Sequence, residues 1–555
     1  MIGLLDTLLV LALLTTVGLY VFGANRFAGY IGMAAYAAMT VIVVLVGQTL
    51  SGGETAVPSA MAFTVLGYPM TWRIDGLGWF FALLTTGAGF FAAWYMSGEW
   101  NEAQPNKRIQ HGTLALNVLA MLLLVSSGDF LSLFIGWEIV SWAAFAMMTQ
   151  LGGPAATAAL RYLLYALAGA MALFAGILIV RSATGSFAFE DFAAAVPNLP
   201  TATKWVLFVL FTAGFGVKMA IVPFHLWQAP AYSFTPGASS SFLNAVSARM
   251  GLFALTLVLI KLMGPALLAG MDIAYTWFDA RSALLWLTAI TMIVPTYIAL
   301  MQTDARMLLA WHGIGQGGYM LLGILVGTPL GLAGGLLHTF NYATYQMALM
   351  LAVFAVVHRT KTADLDELGG LITRMPFTYI TLLMGIIGLA GLPPMNGFVS
   401  KWMIYKSLLN TAQPLLLIAA FIGTLGTILS VYKLIHNIFL GQLRLEHREV
   451  KEAPLSMLLP MLTLAGIGFV TGWMPGLALS MVDIAQSALG IGLQPHHLGG
   501  VDLPNGSLNM LWVVGVLIAA IGVGALIFYF LGNRRWEVSQ YDNYAGGHFL
   551  SADVR

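Results

Sequence analysis

Gly216-Val217-Lys218-Met219-Ala220-Ile221-Val222-Pro223-Phe224-His225 and Gly388-Leu389-Ala390-Gly391-Leu392-Pro393-Pro394-Met395-Asn396-Gly397, the latter followed by Lys401, are the stretches that decide the fold. Each comes at the end of a long apolar run, and each carries proline where a helix would continue. Proline removes a backbone donor and its ring clashes with the preceding turn, so both helices are expected to break. Each break has a lysine beside it, a charge that apolar surroundings do not tolerate without a use. The two breaks fall five helices apart, and an odd offset inverts the second copy. Paired, proline-broken helices at matching positions point to an inverted repeat with an ion path between the halves.

Outward from the breaks the chain is almost continuously apolar. Of 555 residues, 59% are hydrophobic and 8% charged, against roughly 25% charged in an ordinary soluble domain. So apolar a surface needs lipid as its solvent. A hydrocarbon core of ~30 Å takes about 20 apolar residues per helix. Such stretches lie at 2–23, 27–50, 76–97, 112–127, 129–150, 158–182, 204–222, 236–263, 281–302, 304–326, 330–357, 374–396, 398–440, 453–473 and 507–532. The 398–440 stretch divides, with 398–410 belonging to the broken helix before it. An open strand would leave backbone amides unpaired in lipid, and no alternating segments suggest a barrel. The expected fold is therefore an all-α polytopic membrane protein with about 14–15 transmembrane helices.

The net charge of +1 gives no sign of a nucleic-acid partner. Cysteine is absent, which excludes cysteine-ligated iron–sulfur clusters, thiolate zinc sites and disulfides. Redox chemistry therefore belongs to partner subunits, and no cofactor or metal is expected in this chain. The N-terminus has no basic segment before its first apolar stretch and reads as a retained span. Orientation follows the basic residues of the loops. Arg26, Lys107, Arg108, Arg306, Arg359, Lys361, Arg374, Arg444, Arg448, Lys451, Arg534 and Arg535 fall on one side. Arg73, Arg181, Lys204, Lys261 and Arg281 fall on the other. The richer side is expected to be cytoplasmic, which places the N-terminus outside and the C-terminal tail inside.

Several charges lie where lipid should be. Glu138, in Phe134-Ile135-Gly136-Trp137-Glu138-Ile139-Val140, is mid-span, and a lone carboxylate there costs on the order of 2.5–3.5 kcal/mol. Lys218 is its expected partner; such a pair can load or release a proton when the groups move relative to one another, although buried pairs also serve only to fix packing. Arg249, His312, His338 and Lys401 continue the series in the eighth, tenth, eleventh and twelfth spans. Histidine titrates near neutral pH and suits a relay, while Lys401 has the alternative of snorkelling to the interface. Gln316, Gln346, Asn244, Ser239, Ser240 and Ser241 are neutral polar groups able to hold water between the charges. His496-His497 read as solvated surface in a loop.

These residues fall within motifs. Asp75-Gly76-Leu77, Gly136-Trp137-Glu138, the Gly216–Trp227 stretch, Asp304-Ala305-Arg306-Met307-Leu308-Leu309-Ala310-Trp311, Gly317-Gly318-Tyr319-Met320 and Gly391–Lys401 occur in that order. The chain from about Asp75 to Tyr432 thereby resembles the antiporter-like subunits of respiratory complex I, membrane-bound hydrogenases and multisubunit sodium/proton antiporters. The resemblance implies two inverted five-helix bundles, at 112–263 and 281–440, each with a half-channel. They would be flanked by an N-terminal three-helix region, 1–111, and by C-terminal helices with a cytoplasmic tail, 453–555. It further implies a lateral line of charge through Glu138, Lys218, His338 and Lys401, with Arg161 and His225 in support.

Several positions depart from the family pattern. Asn244 and Arg249 stand in the eighth span where a histidine and a lysine are usual. In the eleventh, the usual His-x-x-x-His-x-x-x-Lys reads His338, Tyr342 and Gln346. An arginine does not readily deprotonate, so a simple lysine relay is interrupted there, and His312 is a candidate to compensate. The function implied is a proton- or cation-translocating integral membrane subunit of a complex I-like or hydrogenase-type redox complex. The alternatives are a subunit of a multisubunit Na+/H+ antiporter, or the membrane partner of a soluble zinc subunit in an inorganic-carbon accumulation complex. In each case the partners are other membrane-complex subunits, protons or Na+, and the lipid bilayer, and the location is the cell membrane.

Overall fold

Capping residues start many of the helices. Asp75, Asp129, Asp279 and Asp304 each accept a hydrogen bond from a first-turn backbone amide, satisfying donors that lipid could not. The computed structural model describes residues 3–65, 67–98, 106–273, 276 and 278–532. Among these, 13 helices are long and apolar enough to cross a membrane. They occupy Leu4–Phe22, Ala28–Ser51, Gly76–Tyr95, Lys107–Val125, Phe130–Leu151, Gly153–Thr184, Thr201–Met219, Gly237–Met263, Ala280–Leu300, Pro329–Thr360, Pro414–Phe439, Leu455–Trp473 and Met510–Leu531. Two more complete the expected series. The tenth span, Ala305–Leu325, carries Arg306, His312 and Gln316. The twelfth is broken into Pro376–Ala390 and Asn396–Asn410. The chain divides into two units, 1–510 and 511–555; the last helix is described by itself, and the tail with Arg534 and Arg535 lies outside the described residues.

Contacts between loops test the count independently of hydropathy. On one face, Trp72 bridges Ser127, Asp129 bridges Ala188, and Lys261 pairs with Asp75. Gln486 donates to Pro329 O, Lys406 to Asn505 O, and Gly76 abuts Ile484. Each of these joins loops that follow even-numbered spans. On the opposite face Arg108 reaches Tyr20, Asp304 bridges Asp364, Arg444 reaches Asp366, and Gly98 abuts Ser456. Those join loops that follow odd-numbered spans, so consecutive loops alternate faces.

Both predicted breaks are present. The seventh span's first half ends at Met219 and the twelfth's at Ala390, each followed by a left-handed residue, Ala220 (φ 57°) and Gly391 (φ 77°). The sixth and eleventh spans, also five apart, are both 32 residues long. These matched features are compatible with an inverted repeat.

The eighth span differs from the single helix expected. An α-helix over Gly237–Ala245 stops at Val246 (φ −129°), a 3₁₀ turn covers Ser247–Arg249, and α-helix resumes over Met250–Leu255. The end, Thr256–Met263, is π-helical. No proline marks this third interruption; hydrogen bonds from neighbouring spans hold it open instead. Loops on one face also form short strands: β1 (Ala56–Pro58) with β4 (Arg73–Asp75), β2 (Phe63–Val65) with β3 (Tyr68–Met70), and β5 (His496–His497), β6 (Gly500–Val501) and β7 (Leu508–Asn509) in one sheet. His496 is accordingly half-buried against Asp483, 3.7 Å away, rather than a solvated loop residue.

Candidate functional site

Lys218 is buried in the last turn before the first break. Its ammonium donates to the Tyr162 hydroxyl at 2.8 Å and lies 5.1 Å from that ring's centre. Tyr162 donates onward to Ser141 O of the fifth span at 3.3 Å. Glu138, one turn earlier on that span, is half-buried, and its Oε1 accepts no hydrogen bond. The carboxylate is within electrostatic range of Lys218 but makes no ion pair with it. In place of the expected direct pair, Lys218 is bonded to Tyr162, which ties it to the span that carries Glu138, and the carboxylate acts on the ammonium only through space. Arg161, its neighbour in sequence, is turned about 100° away and is exposed, apart from the buried groups.

Arg249 is fully buried at the third interruption. It donates to Gly313 O at 2.8 Å and to the Tyr342 hydroxyl at 3.4 Å, with its guanidinium 4.6 Å from the Tyr342 ring centre. Among the described residues it makes no ion pair. Tyr342 in turn donates to Asn244 Oδ1 at 2.8 Å. The residue at the usual histidine position and the one at the usual lysine position are therefore joined through the tyrosine of the eleventh span. Gly317 makes room for this, since a Cβ there would stand 2.5 Å from Arg249 Nη1. Tyr232 lies within electrostatic range of Tyr162, Arg249 and Tyr342.

Beyond Arg249 the line continues through His338, held at both ring nitrogens. Nε2 is 3.0 Å from Gln316 Oε1 and Nδ1 is 2.8 Å from Ser400 Oγ. An amide oxygen only accepts, so Nε2 carries the hydrogen and Nδ1 accepts from the serine. The Ser400 hydroxyl also faces Gly397 O at 3.2 Å and receives Asn341 Nδ2 at 3.0 Å; its one proton can therefore turn between two acceptors. His338 is within electrostatic range of both Arg249 and Lys401.

Lys401 is buried and does not snorkel. Its ammonium caps the first half of its broken span, donating to Leu389 O at 3.0 Å and Ala390 O at 3.2 Å, 4.8 Å from the Tyr319 ring centre. Gly391 permits the approach: a Cβ there would meet Lys401 Cδ at 2.5 Å.

The remaining candidates sit beside this line. Gln346 is buried and donates to Leu309 O at 3.0 Å. His312 turns to the thirteenth span, with Nε2 2.5 Å from Ser430 Oγ and Nδ1 unpartnered; it does not touch His338, and Gln316, one helical turn on, stands between them. His225, within the first break, packs edge-on against Trp311 at 5.8 Å.

Sequence reasoning missed Tyr162, Tyr345, Ser400 and Asn341. Tyr162 was legible in principle. Ala155, Ala158, Ala159, Tyr162, Ala166, Gly169 and Ala170 are among the buried positions of the sixth span, and that small-residue stripe at helical spacing includes Tyr162 and excludes Arg161. Tyr345, 3.5 Å from Gln316 Oε1, and the Ser400–Asn341 contact depend on pairings that no local pattern reveals.

Membrane-spanning helices broken beside buried lysines, with arginine, histidine and tyrosine hydrogen-bonded in between, define an antiporter-like subunit built for moving protons or small cations within the bilayer. Residues 127–427 match the family described as NADH:quinone oxidoreductase/Mrp antiporter, TM, and the chain belongs to that family. Subunit N of NADH-quinone oxidoreductase from Desulforudis audaxviator is 29% identical over 469 residues, covering 80% of this chain and 89% of that protein. Among solved structures, the membrane-bound sulfane sulfur reductase, an archaeal respiratory membrane complex, contains a chain with TM-score 0.89 at 24% identity, covering 98% of this chain and 88% of that one. The Mrp complex from Dietzia sp. contains one with TM-score 0.77 at 23% identity, covering 95% and 56%.

Proposed function

We propose that the chain moves protons as a subunit of a larger, redox-driven membrane complex, along Glu138, Lys218, Arg249, His338 and Lys401. The observation that carries this reading is the placement of His338. It is a titratable ring bonded at both nitrogens and lies within electrostatic range of a buried arginine and a buried lysine. A neutral imidazole that donates at one nitrogen and accepts at the other can take a proton on one side and give one up on the other. Tyr162 would hold Lys218 against the span that carries Glu138, and Tyr342 would couple Arg249 to Asn244. Redox energy comes from partner subunits, as the similarity to subunit N of NADH-quinone oxidoreductase supports. The chain would lie in the cell membrane with its N-terminus outside and its C-terminus in the cytoplasm. Arg161, His225, His312 and Gln346 have supporting parts at most.

A second reading, Na+/H+ antiport in an Mrp-type assembly, is supported by the family's joint description and the Dietzia fold match. One experiment separates the two: affinity purification of the native complex, identification of its subunits by mass spectrometry, and flux assays in proteoliposomes. Quinone- or other acceptor-reducing subunits and Na+-independent proton uptake support the redox reading. Small antiporter subunits and proton flux that requires Na+ replace it with the second.

A further inference from the structure

A charged cavity opens on the face that carries the short strands. It has a volume of about 300 Å³, Arg73, Asp75, Glu190 and Lys261 stand around it, and Phe253 and Leu257 line it on the eighth span. Two ion pairs frame it. Arg73–Glu190 ties β4 to the short helix Phe189–Ala195, and Lys261–Asp75 ties the end of the eighth span to β4. Lys261 also borders a neighbouring cavity of about 690 Å³, where Glu54 and Asp483 add acidic groups.

The eighth span connects this surface with the buried line. Phe253, Leu257 and Lys261 line the same cavity and so share a side of this span, and Arg249 precedes Phe253 by four residues. The cavity reaches Phe253, one turn from Arg249, and Phe253 is backed edge-to-face by Phe81 at 5.4 Å between ring centres. From Thr256 the helix is wound as a π-helix, a form that concentrates at functional positions. Charged groups at the mouth, two apolar side chains below them and a buried cation below those make the order of a gated vestibule.

We propose that this side of the eighth span is a branch of the ion path leading to the strand-bearing face. The charged cavity is its water-filled vestibule, Phe253 and Leu257 are its gate, and the Lys261–Asp75 pair holds its mouth. An apolar constriction of this kind blocks ions while dry and passes them when wetted. Arg249 stays charged, so a proton arriving beside it is repelled, and wetting of the gate gives that proton a way out. The inference rests on the ion-translocation reading, and it adds a route that the lateral line alone does not contain.

The chain has no cysteine, so single cysteines can be placed without background. In the assembled complex in native membranes, Leu257→Cys is expected to react with a charged, membrane-impermeant thiol reagent from one face only. It should do so several-fold faster than Val258→Cys, whose side chain is fully buried. Phe253→Ala, in complexes shown by co-purification to be assembled, is expected to raise passive proton leak in proteoliposomes several-fold, with Phe253→Leu restoring tightness. Equal, slow labelling of Leu257→Cys and Val258→Cys, or an unchanged leak with Phe253→Ala, overturns the vestibule. Labelling needs no turnover, so it distinguishes the two failures. A complex that labels at Leu257→Cys but never pumps refutes translocation and leaves the vestibule standing.

Discussion

At the scale of single residues, the first half of the site depends on one phenol. Tyr162 is the hydrogen-bond partner of Lys218 and also bonds the helix that carries Glu138. Removing its oxygen leaves a buried ammonium without an acceptor, a cost of about 1–3 kcal/mol. Tyr162→Phe should therefore slow proton flux by roughly tenfold to a hundredfold while the protein still inserts, as measured in proteoliposomes of the assembled complex. Unchanged flux would mean that Lys218 does not work through Tyr162. Glu138→Gln and Lys218→Met should each abolish flux, and the double variant should lose little more, because members of one network are not additive. Gly391 makes a different kind of prediction. Its left-handed φ of 77° and the nearness of Lys401 Cδ both exclude a side chain. Gly391→Ala costs about 1–2 kcal/mol for the backbone alone and must push the lysine off the Leu389 and Ala390 carbonyls. Flux should fall further than the melting temperature does; a proportionate fall in both would make Gly391 only a stability residue.

At the scale of elements, the interruptions show what a sequence can announce. The seventh and twelfth breaks were legible because proline cannot continue a helix, and the spans were legible because lipid demands long apolar runs. The eighth-span break was not, since Asn244-Ala245-Val246-Ser247 contains neither proline nor glycine. Its backbone leaves the helix because Arg249 is drawn to Gly313 O and Asn244 to Tyr342, contacts between residues 64 to 98 positions apart. Local propensity yields to such tertiary bonds. The same distinction explains the site. Charged residues in apolar segments stand out one by one, whereas the tyrosines and Ser400 that link them look like ordinary packing. Gln346 tests how far the second half has been rebuilt. Its amide already bonds the Leu309 carbonyl, an acceptor that would suit an ammonium as well. Gln346→Lys should therefore be tolerated, at most altering the pH profile of flux, whereas His338→Ala should block it. If His338→Ala and His312→Ala both pump at the wild-type rate in a pH-jump assay, the second half is not the route.

For the whole molecule, the alternation of loops turns topology into a measurable claim. The contacts described above place the loops that follow even-numbered spans on the strand-bearing face and the loops that follow spans 1, 3, 9, 11 and 13 on the other. The latter holds Arg26, Lys107, Arg108, Arg306, Arg359, Lys361, Arg444, Arg448 and Lys451, while the strand-bearing face holds Arg73, Arg181, Lys204, Lys261 and Arg281. Ion pairs occur on both faces, Arg73 with Glu190 and Lys261 with Asp75 on one and Arg306 with Asp304 on the other, and the bias lies in the number of basic residues. Positive loops are retained on the cytoplasmic side during insertion. The strand-bearing face should therefore be external, and with fifteen crossings the two ends of the chain should lie on opposite sides. A reporter fused after Arg535 should be active only in the cytoplasm, and a tag placed before Asp6 should be reached by antibody or protease in intact cells. If both ends read cytoplasmic, one crossing is lost. The parity of the loop contacts confines that loss to the first or last span, because a missing internal span would force two contacting loops onto opposite sides of the bilayer.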